Sequence, residues 1–337
     1  MTATTPDTIS TGATPTWQRW LRRHGWTVGV WLLLIAMTIW YSTLIPRFGS
    51  FEVSTIVNNS LPLVYLAVAQ AVIVIAGGID LGVGGLLVLV NTTAARFMLD
   101  QPFEVTILIA VLVVLGAAAL NGVVGWVINV SGVPDIVITL GTLFIYQGLA
   151  LAILANPGGG TSERFRWIFT GSEVGIGRNP WPAIVMILIP VLLLAWWMGK
   201  TRSGLSLYAV GSNRTAAYLS GIPAARAKVT AYAIGGAFAA MAGLSVTAIA
   251  GRGNPNIVGG NFTLNSVAAI VLGGVALTGG IGSVIGAVAA GIALFFLNPI
   301  LTAMGVDPNR GQIIRGVLIV VVMMIAGLLE LRRVRKS

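Results

Sequence analysis

The chain has 337 residues, of which 56% are hydrophobic and only 9% are charged, and its mean hydropathy is +0.91. A soluble protein of this composition would lack the polar surface that water requires, since ordinary domains carry about 25% charged residues. We therefore expect lipid to be the solvent. The excess of 20 Lys and Arg over 10 Asp and Glu fits the loops of a membrane protein better than a nucleic-acid surface, because no basic stripe is interleaved with stacking aromatics.

The N-terminal residues divide into a tail and an interfacial segment. Residues 1–16 are rich in Thr and Pro and lack hydrophobic periodicity, which predicts a disordered tail. The segment WQRWLRRHGW that follows is basic and aromatic, as at a membrane interface, and it contains the single histidine, His24. With no cysteine and one histidine, disulfides and thiolate nucleophiles are excluded, and we expect no metal site. We assign 1–25 to this N-terminus, 26–331 to a transmembrane domain and 332–337 to a basic tail.

The transmembrane domain is predicted to contain ten spans, several of them interrupted by glycine. The first apolar run, Thr27 to Ile45, can cross a bilayer and lacks a cleavage site, so it is typical of a signal anchor. Nine more apolar runs follow, near 59–77, 81–98, 104–129, 135–154, 182–199, 229–250, 265–279, 284–304 and 312–330. The sequence therefore predicts an all-α polytopic membrane protein.

Basic residues predict how these spans are oriented. Three lie in the N-terminal segment, five in the 200–228 loop and four in the C-terminal tail, whereas the loops expected on the opposite side hold most of the acidic residues. Because basic residues accumulate on the cytoplasmic side, both termini and the 200–228 loop are predicted to be cytoplasmic. Ten spans agree with this prediction, since an even number returns the chain to its starting side.

Two glycine-rich breaks suggest that the domain has two related halves. VIVIAGGIDLGVGGLLVLV (72–90) and AIVLGGVALTGGIGSVIGAV (269–288) each place glycines inside an apolar stretch. Corresponding glycine-broken spans in two halves are typical of repeats packed around a central pathway. The sequence leaves open whether the repeats are parallel or inverted.

Asp80 is the only acid within an uninterrupted apolar context, directly after Gly77 and Gly78. The two glycines predict a helix break, and Asp80 suits the cap of the next helix by accepting bonds from its first N–H groups. Such breaks are tolerated at membrane depth only when they are buried in protein or line a water-filled space. The alternative is a carboxylate that couples transport to a proton or a cation.

The 200–228 loop contains a predicted docking helix. Asn213–Leu219 is compatible with a helix, Ser212 suits its N-cap, and Gly221 followed by Pro223 suits its end. No phosphate-binding G-x-x-x-x-G-K-[ST] or G-x-G-x-x-G motif is present, so the chain has no ATP site of its own, and ATP-driven transport would take its energy from another protein. The alternative is an ordinary basic loop held at lipid headgroups.

Three motifs resemble those of the ribose-type ABC permeases. VIVIAGGIDLGVGGLLVLV is similar to their G-G-I-D-L-[SG]-V-G run, GSNRTAAYLSGIPAARAKVTAYAIGGAFAAMAGL to their coupling loop, and GGVALTGGIGSVIGA to their late glycine-rich segment. The matches run in order from about 55 to 325. One departure is Gly82, where the family often has serine, which removes a hydroxyl group near the pathway.

The resemblance implies the membrane subunit of an importer for a small polar solute, most often a monosaccharide. It implies a homodimer or a heterodimer with a paralogue, two ATPase subunits that bind ATP and Mg, and an extracytoplasmic solute-binding protein; this chain itself would bind no cofactor and catalyse no reaction. The predicted contacts with the ATPase are Asn213, Ala217, Leu219, Gly221 and Ile222. The predicted pathway residues are Gln70, Asp80, Asn91 and Asn265, and the predicted binding-protein contacts are Arg47, Arg164, Arg166 and Arg252.

Three other functions stay open at this point. Permeases for nucleosides, amino acids or a signalling sugar derivative have related folds. An ion-coupled secondary transporter would require Asp80. A membrane-embedded enzyme is the weakest alternative, because the spans offer neither a histidine-containing catalytic set nor a second acid to pair with Asp80.

Overall fold

The computed structural model describes residues 16–307, 309–314, 316–317, 320–321 and 324, and this part of the chain is helical. The predicted tail at 1–15, the basic tail at 332–337 and much of the last predicted span lie outside the described residues. The helices are α1 (Thr16–Leu44), α2 (Ser50–Ile75), α3 (Val83–Phe97), α4 (Phe103–Ser131), α5 (Asp135–Ile153), α6 (Glu163–Thr170), α7 (Trp181–Lys200), α8 (Arg202–Ser212), α9 (Arg214–Leu219), α10 (Ala224–Ala250), α11 (Gly259–Leu272) and α12 (Val284–Ala303). The prediction of an all-α fold is confirmed.

Most of the predicted spans correspond to helices. Within the described residues, α2, α4, α5, α7, α10, α12 and the Gly25–Leu44 part of α1 are long and apolar enough to cross a bilayer. Two more predicted spans correspond to α3 and α11, which are apolar but have only 15 and 14 residues. The interfacial segment around His24 forms the first turns of α1 rather than a separate element.

Three local predictions were wrong. The span expected at 265–279 is displaced to Gly259–Leu272, because Gly274 adopts a positive φ of 84° and ends the helix early. The helices α6 and α8 were not predicted, since both are short and lie in loops. Ser212 is the last residue of α8, and Asn213 is the N-cap of α9, where its side chain accepts a hydrogen bond from the Ala216 N–H.

The helix α2 forms the centre of the molecule. Every residue from 60 to 76 is buried, and α10, α11, α12, α7 and α3 pack around it. Glycines allow the closest approaches: a Cβ on Gly291 of α12 would lie 3.2 Å from the Val64 Cα, and one on Gly236 of α10 would collide with the Ala117 carbonyl of α4. Small residues serve the packing of helix on helix here, as is common in membrane proteins.

The loops form two opposite ends of the helix bundle. At the first, which we call the α9 end, the Gly280 N–H donates to the Ile75 carbonyl at 2.9 Å and Arg214 donates to Asn129 at 2.8 Å. At the second, the α6 end, Gly158 pairs with Gly253 and Arg166 donates to the Ala248 carbonyl at 3.0 Å. The two glycine-rich breaks are therefore neighbours at the α9 end.

These breaks share one backbone motif. After α2, Gly77 has φ +79°, and the N–H groups of Gly77 and Gly78 donate to Val74 and Ile73. After α11, Gly274 has φ +84°, and Gly274 and Val275 donate to Val271 and Ile270 in the same 5→2 and 6→1 pattern. Since α2 and α11 both end at the α9 end, the two glycine-broken hairpins have the same direction.

Candidate functional site

A cavity of about 740 Å³ lies between α2, α11, α12 and the helical residues that begin at 309. It occupies the half of the molecule nearer the α6 end, because it is lined by the first half of α2, the start of α11 and the last turns of α12. Its described lining residues are Asn59, Pro62, Leu63, Asn261, Phe262, Leu264, Asn265, Val267, Phe295, Asn298, Leu301, Thr302, Val306, Gly311, Gln312 and Gly316.

The described lining of this cavity combines apolar surface with uncharged polar groups. Six of its described side chains carry hydrogen-bonding groups: Asn59, Asn261, Asn265, Asn298, Thr302 and Gln312. An amide offers both donors and an acceptor, as a hydroxyl-rich solute requires, and the rings of Phe262 and Phe295 supply apolar surface beside them. No Asp, Glu, Lys or Arg is among the described lining residues, so the cavity suits a neutral polar solute.

Proline interrupts both long helices at the cavity. Pro62 lies inside α2 and Pro299 inside α12. A proline inside a helix has no N–H to offer the carbonyl four residues earlier and favours a kink. The two carbonyls concerned belong to Asn58 and Phe295. Each of these helices therefore lacks one backbone hydrogen bond where it forms the wall of the cavity.

A second recess of about 590 Å³ lies between α3 and α4. Its lining is almost wholly apolar, with Leu86, Leu89, Leu112 and Val113 among the residues that form it. Such a surface can receive hydrocarbon but cannot select a polar solute by hydrogen bonding. The amide-lined cavity, by contrast, offers hydrogen-bonding groups to a polar molecule.

Asp80 belongs to a buried polar network and does not line the cavity. Its carboxylate accepts hydrogen bonds from the Gly82 N–H at 2.7 Å and from Asn121 Nδ2 at 2.9 Å, and Asn121 also donates to the Tyr232 carbonyl. Within the predicted break Gly78 and Asp80 are buried in protein, whereas Gly77 is exposed at the α9 end. The capping prediction needs a correction, because the bonded N–H belongs to the residue that precedes α3 rather than to its first turn.

The first turn of α3 is capped from another helix. Thr263 of α11 accepts a hydrogen bond from the Gly84 N–H at 3.1 Å and donates to the Leu81 carbonyl at 3.1 Å. The backbones of Gly84 and Gly259 approach so closely that a Cβ on either would collide with the other. Thus α3 is fixed to α11, and α11 is a wall of the cavity.

The network extends from Asp80 to the start of α10. The Tyr232 hydroxyl donates to Asp135 at 3.0 Å and approaches the Ile79 carbonyl at 3.1 Å. Asp135 also pairs with Lys228 at 2.6 Å, and both side chains are largely buried. A continuous set of contacts therefore joins α10, which follows directly after α9, to the glycine break and to α11.

The remaining predicted pathway residues have different surroundings. Asn91 ties α3 to α10, because its Nδ2 donates to Thr247 at 2.9 Å and its Oδ1 accepts from the Asn254 N–H at 2.8 Å. It does not line the cavity. Asn265 does line it. Gln70 is fully buried on α2, on the α9 side of the cavity.

Helix α9 presents a small exposed surface at the α9 end. Leu219 and Tyr218 are 79% and 72% exposed. Gly221 adopts φ +79°, and the N–H groups of Gly221 and Ile222 donate to Tyr218 and Ala217, so the predicted helix end at Gly221 is confirmed. Ala217 is buried against the core and Ile222 packs against it. The side chain of Ala217 thus anchors α9 to its own chain, and its contact with a partner stays a prediction.

The four predicted docking arginines belong to segments at the α6 end. Arg47, Arg164 and Arg252 are exposed. The guanidinium group of Arg166 donates to the Ala248 carbonyl at 3.0 Å and to the Ile249 carbonyl at 3.4 Å. It thereby satisfies carbonyls at the end of α10, and its contact with a partner stays a prediction.

Several residues of the site were missed at the sequence level. Asn59 lies three residues before Pro62 and Asn298 directly before Pro299, and an amide close to a proline inside an apolar span would have marked both. Tyr218 could have been found as an aromatic residue in the predicted docking helix. Thr263, Asn121 and Asp135 gave no comparable signal, because their partners are distant in sequence.

Comparison with known proteins identifies transport permeases. Residues 53–323 match the family described as "Branched-chain amino acid transport system / permease component". The chain is 31% identical over 302 residues to the ribose import permease of Escherichia coli, covering 87% of this chain and 90% of that protein. It is 31% identical over 264 residues to the ribose import permease of Bacillus subtilis, covering 77% and 80%. It is 29% identical over 298 residues to the D-allose transport system permease of Escherichia coli, covering 87% and 89%. No solved structure matches the chain.

Proposed function

The chain belongs to the family of branched-chain amino acid transport system permease components, and from its similarity to permeases named for ribose and allose we infer that it carries a neutral monosaccharide through the amide-lined cavity. It is the membrane permease subunit of an ABC importer, and its relatives include permeases named for ribose and allose. The absence of charged side chains among the described lining residues is the observation that supports this substrate class. A free amino acid carries an ammonium and a carboxylate, and desolvating both without a charged partner is costly. The lining therefore favours sugars over amino acids.

ATP and Mg would be bound by separate ATPase subunits, which would meet the exposed side of α9. Tyr218 and Leu219 form an apolar surface there, with Asn213 and Gly221 at the two ends of the helix. Closure of the ATPase pair would move α9, and the contacts through Lys228, Asp135, Tyr232 and Asp80 would pass that movement to α3 and α11. In such a switch, rigid helices alternate between two arrangements.

At the α6 end we assign the extracytoplasmic binding protein. The exposed guanidinium groups of Arg47, Arg164 and Arg252 would meet acidic residues on that protein, which favours fast and specific association. The subunit would form a homodimer, or a heterodimer with a paralogue. It would lie in the bacterial plasma membrane with both termini in the cytoplasm.

Measuring solute uptake in a strain that lacks this permease tests the proposed function. The strain is complemented with the chain and supplied with radiolabelled ribose, allose or leucine. We expect sugar uptake to depend on the chain, to stop when cellular ATP is depleted and to persist when an ionophore collapses ion gradients. Uptake of leucine but of neither sugar would overturn the proposed substrate class. Sugar uptake that survives ATP depletion and stops with the ionophore would overturn the proposed energy source.

A further inference from the structure

Gln70 has an unusual environment among the buried amides of the protein. Its side chain is fully buried in α2, and neither Oε1 nor Nε2 has a hydrogen-bond partner among the described residues. By contrast, Asn58, Asn91 and Asn121 each make at least one such bond. A buried amide without partners destabilises the folded protein and calls for an explanation.

The position of Gln70 on α2 relates it to the cavity. At about 100° per residue, Gln70 lies within about 20° of both Asn59 and Leu63 around the helix, and both of these residues line the cavity. At about 1.5 Å per residue, it lies about 10 Å beyond Leu63 towards the α9 end. Gln70 therefore continues the stripe of α2 that faces the solute.

Gln70 also lies between the cavity and the segments that would move during transport, which are the glycine break after α2 and the α11–α12 turn. Beyond it, α2 ends at the glycine break, where Ile75 accepts a hydrogen bond from Gly280 of the α11–α12 turn. Because α2 is buried on all sides at this level, the passage from the cavity to the α9 end is closed in this conformation. A movement of α11 and α12 away from α2 would open it.

We propose that Gln70 is a second solute-binding position, which hydrogen-bonds sugar hydroxyls after the solute leaves the cavity. Its amide offers one acceptor and two donors, which complement a pair of neighbouring hydroxyl groups. The amide lacks partners while the passage is closed, and the passing solute supplies them when it opens. This inference rests on the proposed function and adds a residue that discriminates hydroxyl-rich solutes.

The absence of cysteine from the chain allows a direct test. Gln70→Cys is exposed in cells to a membrane-impermeant thiol reagent, with and without ribose and an energy source. Asn58→Cys is the matched control, because Asn58 is a buried amide of the same helix, also with an unpartnered oxygen, but about 120° away from Gln70 around the axis. We expect turnover to raise the modification rate of Gln70→Cys by about tenfold, as the open state becomes populated, and to leave Asn58→Cys unreactive.

A second variant separates binding from folding. Gln70→Met keeps a similar volume and removes the unpaired polar atoms, so we expect thermal stability to be unchanged or higher. We expect ribose uptake to fall by about tenfold, which corresponds to about 1.4 kcal/mol. Unaltered uptake in Gln70→Met, or a rate of cysteine modification that turnover leaves unchanged, would overturn the inference. If the unmodified chain itself fails to carry sugar, the proposed function fails instead.

Discussion

Substitution of Asp80 separates a structural carboxylate from one that couples transport to an ion. The carboxylate accepts one bond from the Gly82 N–H and one from Asn121 Nδ2. Asn at this position can keep the first bond through its side-chain oxygen. It loses the second, because its own amide nitrogen would then face the amide nitrogen of Asn121.

The magnitude follows from these two bonds. A hydrogen bond to a charged group contributes about 1.5–3 kcal/mol, so Asp80→Asn should destabilise the protein by about that amount or less, since a buried charge is removed at the same time. Asp80→Leu leaves two buried donors unpaired at about 1–3 kcal/mol each, or roughly 2–6 kcal/mol in total. The leucine variant should therefore be the less stable of the two by a clear margin.

The assay combines thermal unfolding of the purified protein with ribose uptake in cells. We expect Asp80→Asn to keep a substantial part of ATP-dependent uptake and Asp80→Leu to lose most of it together with stability. Ionophore treatment should leave uptake unchanged, both for the original protein and for Asp80→Asn. If Asp80→Asn is as stable as expected yet inactive, and an ionophore stops uptake by the original protein, Asp80 carries charge during transport and the structural role is refuted.

Three further predictions address α9, the buried ion pair and the cavity. Gly221→Val should lower the free energy of unfolding by about 1–2 kcal/mol because the φ of Gly221 is +79°, although the surroundings leave room for a Cβ. It should reduce uptake and sugar-stimulated ATPase activity together, whereas Gly221→Asn should retain both. Asp135→Asn should lower stability by about 1.5–3 kcal/mol, because it removes the charge-assisted bond to Lys228; a denaturation curve that matches the original protein would contradict this. Asn265→Leu should raise the KM for ribose several-fold without lowering the melting temperature; an unchanged KM would remove this side chain from the cavity's function.

The sequence was sufficient for the class of protein and for most of the spans. Long apolar runs predict transmembrane helices because backbone groups in lipid have to be satisfied within the segment, and this requirement depends on local sequence alone. The end of α9 at Gly221 was predictable for the same reason, since the left-handed conformation is a local demand that glycine meets best. The bounds of α11 were not, because residues 273–283 form a turn against Ile75 and Gly211, which are distant in sequence.

Identifying the functional residues depended on the tertiary structure more than identifying the spans did. A polar residue in an apolar span has the same appearance in sequence whether it lines a cavity, as Asn265 does, or joins two helices, as Asn91 does. Likewise, Ala217 and Leu219 are neighbours in one short helix, but only packing decides that the first is buried and the second exposed. The sequence determined which polar groups need hydrogen-bond partners. The arrangement of the helices determined which of these groups have partners inside the protein and which are left to bind a solute, because hydrogen bonding and burial are set by neighbours in space.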